Sequence, residues 1–302
     1  MKKTILLLLL IALFFNCKNE KKTNDKLNVV TTTSMITDLV TNIGGDHINL
    51  QGLMGSGVDP HLYKASEGDV SKLANADIIF YNGLHLEGKL VEVFEKMKNK
   101  KTIAVSDALD KRTLIGSEYF ASNYDPHIWF NIDYWIQITD FVTEELSNAL
   151  PEKEAIFKAN RGQYIKKLGA LKATIHSTIE SELPKEQRIL VTAHDAFNYF
   201  GKAFHFEVVG LQGLSTATEA GVQDVQKLSA FIIEKNVKAI FVESSVPKRT
   251  IEALQAAVNS KGHHVIIGGS LYSDALGNAG SIEGTYIGMF EYNVNTIVNA
   301  LK

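Results

Sequence analysis

The 302-residue chain has one cysteine, five prolines, two tryptophans and no excess of positive charge. A single cysteine excludes an intramolecular disulfide framework and any Cys-rich zinc or iron–sulfur site. A net charge of −3 argues against a nucleic-acid partner, because neutralising phosphates takes clustered Lys and Arg in excess. No apolar run reaches the about 20 residues that a membrane-spanning helix needs. Neither HExxH, GxSxG, a P-loop nor a GxGxxG opening a helix occurs, so the common hydrolase and nucleotide-binding signatures are missing. What is present is 45% hydrophobic and 22% charged, the composition of a folded globular chain long enough for two ordinary domains.

The lone Cys17 is not randomly placed. Lys2 and Lys3 precede eleven apolar residues, Ile5 to Phe15, and then Asn16-Cys17. A basic start and a short apolar stretch are the build of a secretory signal. We therefore expect residues 1–16 to be a signal peptide. A cysteine just after the apolar stretch resembles the lipobox of bacterial lipoproteins, which makes Cys17 the expected lipid attachment. Asn16 departs from the Gly, Ala or Ser usual before that cysteine. Residues 17–26 are polar and read as a flexible tether. Without Lys2 and Lys3 the mature charge becomes −5.

From Leu27 short apolar runs alternate with longer amphipathic ones. Strands are expected at 27–31, 48–53, 77–81 and 102–105, then at 188–192, 206–211, 239–243 and 264–267. Helices are expected at 34–43, 67–74 and 87–97, then at 195–202, 222–236, 248–260 and 282–301. Such alternation implies an α/β fold of two lobes with parallel four-stranded sheets, 27–150 and 185–302. Between them, 151–184 holds no strand signal. Tyr164, Leu168, Leu171, Ile175 and Ile179 step by three or four as one helical stripe. Pro151 and Pro184 suit its two ends. A helix of about 30 residues would span about 45 Å.

Two of the five prolines lie in one repeated pattern: Asp59-Pro60-His61-Leu62-Tyr63 and Asp125-Pro126-His127-Ile128-Trp129. Proline fixes its own φ and keeps the preceding Asp out of helical geometry, so each His is held at a defined angle. The aliphatic–aromatic pair behind it is expected to be an apolar anchor. Two imidazoles so placed are half of a metal site. Each motif alone has the plainer reading of a turn; the repetition favours function. His194 stands where strand 188–192 runs out, and Asp274 in the loop before the last helix. Open α/β sheets bind ligands at that edge. Taken singly, these two also have plain readings, as a helix-start residue and a turn residue.

The runs VDPHLYKASEGDVSKLANADIIFYNGLHLE, DPHIWF, LVTAHDAFNYFGKAFHFEVVGLQGLSTATEAG, IFVESSVPKRTIEAL and GGSLYSDALGNAGSIEGTYIGMF resemble the TroA-like zinc- and manganese-binding solute receptors of ABC importers. The resemblance covers nearly all of 27–301. It implies two (β/α) lobes joined by one rigid helix, with the metal site in the interlobe cleft. By motif match it implies His61, His127, His194 and Asp274 as the ligands. It further implies partnership with an ABC permease and its ATPase subunit, a location outside the cytoplasmic membrane on a lipid anchor, and capture without catalysis; we expect a monomer. Glu219 and Glu243, in motif-like runs, are candidates to orient a ligand His through its second nitrogen. Three imidazoles and one carboxylate rank zinc first, then manganese, then iron. The His- and acid-rich loop common in zinc specialists of the family is missing after His85. Other readings are a same-architecture receptor for a chelated metal, haem or siderophore, and, more distantly, an exported zinc hydrolase.

Overall fold

The computed structural model describes residues 26–97, 99–118 and 120–302. The expected signal peptide, Cys17 and nearly all of the tether lie outside the described residues. The first half runs β1 (Leu27–Thr31), α1 (Ser34–Gly44), β2 (Ile48–Gly52), α2 (Glu67–Asn75), β3 (Ile78–Tyr81), α3 (Val91–Lys96) and β4 (Lys101–Ala104). All ladders are parallel, in the order β2-β1-β3-β4. Successive strand residues face opposite sides, and both sides are covered. Val29, Ile78 and Phe80 enter the main core, whereas Val30 and Ile79 pack with Leu73 and Ala76. Burial on both faces is why β3 is an unbroken apolar run, Ile78-Ile79-Phe80-Tyr81.

Helix α4 (Ile132–Ala149) follows, capped by the Asn131 side chain, which accepts from the backbone N–H of Asp133 and Tyr134. No helix was expected there. The long helix α5 (Glu154–Glu182) begins after a 3-10 turn at Pro151–Lys153. Its buried residues are Phe157 and the expected stripe Tyr164, Leu168, Leu171, Ile175 and Ile179. Gly162 and Gly169 have open space beside them. At about 1.5 Å per residue its 29 residues give about 43 Å.

The second half runs β5 (Ile189–His194), α6 (Asn198–Phe204), β6 (Glu207–Gln212), α7 (Val222–Glu234), β7 (Ala239–Glu243), α8 (Arg249–Asn259), β8 (Ile266–Leu271) and α9 (Tyr286–Leu301). Its strands form two parallel pairs, β5–β6 and β7–β8. Strands β5 and β7 lie side by side, but among the described residues no ladder joins them. At their ends a side chain replaces the ladder partner: the His194 backbone N–H donates to Glu243 Oε1 at 2.8 Å. The β7–β8 register slips by one residue between Ile240 and Val242. The slip falls at Gly268 and Gly269, where a Cβ would come within 2.6 Å of Ala300 and 2.5 Å of Thr296 respectively. Glycine here lets α9 lie directly on the sheet.

The largest core is shared by both halves. It runs from Met35 and Leu39 of α1 through Trp135 and Ile138 of α4 and Tyr164 and Leu168 of α5 to Phe290 and Val294 of α9. Trp135 stacks on Tyr286 with centroids 4.9 Å apart, and its indole N–H donates to the Tyr164 hydroxyl at 3.3 Å. Continuous aromatic packing of this kind resists shear between the halves. Among the described residues no helix is long and apolar enough to cross a membrane.

Candidate metal centre

Four loops at the carboxyl ends of the strands carry the candidate ligands to one point. His61 follows β2, His127 follows β4, His194 ends β5 and Asp274 follows β8. One ligand atom from each lies within 4.8 Å of every other. All four residues are buried, with His127 and His194 at 0% exposure, Asp274 at 1% and His61 at 5%. The nearest approaches are His61 Nε2 to His127 Nε2 at 3.4 Å, His127 Nε2 to Asp274 Oδ1 at 3.6 Å and His194 Nε2 to Asp274 Oδ2 at 3.2 Å. Ligand atoms of a four-coordinate ion with bonds of about 2.0 Å stand roughly 3.3 Å apart, so the cluster has the size of a metal site. His194 Nε2 and Asp274 Oδ1 are buried with no hydrogen bond. Leaving such atoms unsatisfied is costly, and a cation between them would remove the cost.

Two of the imidazoles are oriented from behind. His127 Nδ1 lies 2.7 Å from Asp125 Oδ1, and His194 Nδ1 lies 2.6 Å from Glu243 Oε2. A carboxylate at Nδ1 accepts the Nδ1–H hydrogen bond and turns Nε2 toward the cluster. Each carboxylate also accepts the backbone N–H of the same histidine, at 2.9 Å for Asp125 and 2.8 Å for Glu243, which fixes ring and backbone together. Asn198 steadies the far oxygen of Asp125 at 3.1 Å.

The local charges are unequal. Burial pushes the His61 imidazole down to about 3, so it stays neutral and ready to donate. Burial acts the same way on His194, but Asp274 and Glu243 outweigh it and hold that imidazole well above its ordinary value. Burial alone would raise the Asp274 carboxyl; the surrounding imidazoles, His194 first, hold it well below the usual carboxylate range. An ion bound here would displace a proton from His194 and meet a carboxylate that is already charged.

The structure thus brings together His61, His127, His194 and Asp274, with Glu243 behind His194. It corrects the expectation for Glu219, which lies at the surface paired with Arg249 at 3.0 Å, both side chains more than 70% exposed, and orients no histidine. Its run lies after β6, on a segment that turns outward, whereas Glu243 ends a strand lying against β5. The apolar-anchor expectation also divides. Ile128 and Trp129 are 0% and 1% exposed, but Leu62 is 48% exposed, and Tyr63 spends its hydroxyl on Asp69 at 2.8 Å. Sequence reasoning misses Asp125 as an orienting group. Its only signal is its place two residues before a ligand, which Asp59 shares without the same role.

Parallel strands in both halves, a long bridging helix and a buried three-histidine, one-aspartate cluster between the halves define a metal-receptor class of α/β protein. The chain belongs to the family of the periplasmic zinc-uptake complex component A, whose pattern matches residues 29–300; this is a family of solute-binding receptors. It is 47% identical to the manganese-binding lipoprotein MntA of Bacillus subtilis over 93% of this chain and 92% of that one. It is 49% identical to the zinc-binding protein TroA of Treponema pallidum over 90% of this chain and 88% of that one. The solved TroA structure superposes with a TM-score of 0.89, covering 91% of this chain and 99% of the solved chain.

Proposed function

We propose that this chain is the extracytoplasmic solute-binding component of an ABC metal importer. It captures one divalent transition-metal ion with His61, His127, His194 and Asp274 and hands it to a permease driven by a separate ATPase subunit. The observation that carries this reading is the convergence of four buried ligand atoms within 4.8 Å. The ring centroids stand 5.2 to 5.8 Å apart, room for a bare ion and not for a haem or a siderophore. Zinc ranks first on the three imidazoles. Manganese ranks second, with iron third, because both Asp274 oxygens face the rings and two-oxygen binding would supply the harder donor set. The relatives divide in the same way, TroA being a zinc-binding protein and MntA a manganese-binding lipoprotein.

In this reading residues 1–16 are a cleaved signal peptide, Cys17 carries the lipid anchor and residues 17–26 tether it to the body. Residues 27–150 and 185–302 are the two lobes, joined by 151–184, and the receptor works as a monomer that catalyses nothing. Elemental analysis of protein purified without chelator, then loaded with zinc or manganese, tests the reading. One ion per chain in the wild type and none retained by His194→Ala is the expected result. A wild type that holds no metal after loading would refute the function, and an unchanged ratio in the variant would refute the site.

A further inference from the structure

Both Asp-Pro-His aspartates bond a residue of the other half, but Asp125 meets Asn198 on helix α6 at 3.1 Å, whereas Asp59 meets a residue of an irregular segment. The Thr216 hydroxyl donates to Asp59 Oδ2 at 2.6 Å, 157 positions away in sequence. Asp59 Oδ1 meanwhile accepts the His61 backbone N–H at 2.8 Å. A single carboxylate therefore grips the His61 loop with one oxygen and the segment between β6 and α7 with the other.

That segment has few other ties. Gln212 donates to the Thr218 carbonyl at 3.2 Å, Ala217 N–H donates to the Ser215 hydroxyl at 3.2 Å, and Asp195 N–H donates to the Gly213 carbonyl at 3.2 Å. All of these stay within the C-terminal half. Among the described residues the Thr216–Asp59 bond is the only hydrogen bond from 213–220 to the N-terminal half. Thr216 is buried while Ala217, Thr218 and Glu219 beside it are exposed. A half-open cleft of about 320 Å³ borders the segment, lined by Phe120 and Asp195 together with Leu214, Ser215 and Thr218. His61, whose ring meets the edge of Phe120 at 6.4 Å, is also the ligand histidine without a carboxylate at Nδ1.

We propose that Thr216 and Asp59 form a latch that sets how long the captured ion is retained. Thr216 is a positioning residue: it touches no ion, and acts through Asp59 on the backbone of His61. The bond exists only while the segment and the His61 loop are together, so separating them to free the ion requires breaking it. The inference rests on His61 being a ligand, as proposed above.

The test compares wild type, Thr216→Val, which removes the hydroxyl at nearly constant shape, and Thr216→Ser, which keeps it. Zinc is loaded, and its transfer to an excess of a chromogenic chelator is followed by stopped flow. A hydroxyl-to-carboxylate bond of ordinary strength makes the release rate of Thr216→Val about tenfold faster or more. Association within twofold of wild type, an unchanged cobalt(II) absorption spectrum and near-wild-type release by Thr216→Ser complete the expected pattern. Release by Thr216→Val within twofold of wild type, release by Thr216→Ser as fast as by Thr216→Val, or an altered cobalt spectrum would each overturn the latch. A wild type that binds no zinc would instead overturn the proposed function beneath it.

Discussion

The two Asp-Pro-His motifs are alike in five residues of sequence pattern and differ in almost everything those residues do. In the second motif Asp125 is fully buried and orients the His127 ring at 2.7 Å. Ile128 and Trp129 lie in the core, and Trp129 donates to the backbone carbonyl of Ser273, next to Asp274, at 3.0 Å. In the first motif Asp59 is half-buried and faces Thr216, Leu62 points to solvent, and among the described residues no carboxylate meets the Nδ1 of His61. One motif is part of the scaffold and holds its imidazole in a preset orientation. The other carries the most exposed imidazole of the four-residue cluster. The local sequence sets the turn; the neighbours brought by the fold decide what the aspartate and the apolar pair are for.

That contrast can be broken most forcefully through the core. Trp129→Ala should destabilise the protein by about 3–5 kcal/mol, the usual loss for a large buried aromatic, whereas Leu62→Ala should change stability by less than about 0.5 kcal/mol. Urea denaturation of the metal-free proteins compares them, and equal losses would erase the distinction. Next in size is the orienting carboxylate. Asp125→Asn should weaken zinc binding about 10- to 100-fold, the usual effect of removing a ligand's outer partner. Asp59→Asn, whose amide oxygen can still accept the Thr216 hydroxyl, should weaken it less than about tenfold, through faster release. Competition with a chelator of known affinity measures both, and equal losses would make the two motifs equivalent after all.

Smaller is the effect of acid, and its sign follows from the site. His194 is held above its ordinary value by Asp274 and Glu243, so the free protein keeps a proton there that the ion must expel. Apparent affinity therefore falls as pH drops, up to tenfold per unit for that one proton. His61, pushed down to about 3, contributes no such proton. Without metal, the raised His194 stabilises the fold fully below its unfolded value of about 6.5 and ceases to do so as pH rises through its higher folded value. The depressed Asp274 carboxyl stabilises the fold above about 3.9 and ceases to do so as pH falls through its lower folded value. The melting-temperature gain on zinc binding should thus grow from pH 5.5 to pH 7.5. Glu243→Gln, which removes one of the charges holding the proton, should flatten that growth. Calorimetric titration in two buffers of different ionisation heat counts the proton; a count of zero at pH 6.5 would contradict the assignment.

Much of the fold was legible because its signals are local. Strands β1 and β7 coincide with their apolar runs, and the stripe of α5 is visible as a spacing of three and four. Helix α4 escaped although Ile132, Trp135, Ile138, Val142 and Leu146 have helical spacing. Its many β-branched and aromatic residues have modest helix propensity and blur the signal, and the Asn131 cap precedes it without a glycine or proline to announce it. In the site, the four convergent residues were legible from repetition and from their place at strand ends. Their supporting groups were not. Glu219 and Glu243 sit in equally suggestive runs, and what separates them is the approach of β5 to β7. Asp59 and Asp125 share a tripeptide, and what separates them is Thr216 from one side and the turned ring of His127 from the other.

The most direct test of the central claim is an anomalous-difference map from crystals of the zinc-loaded protein, with data collected on both sides of the zinc absorption edge. The account predicts one strong peak bounded by His61, His127, His194 and Asp274, with Asp125 and Glu243 behind two of the rings. A principal peak anywhere else, or no peak from protein shown to carry zinc in solution, would contradict it.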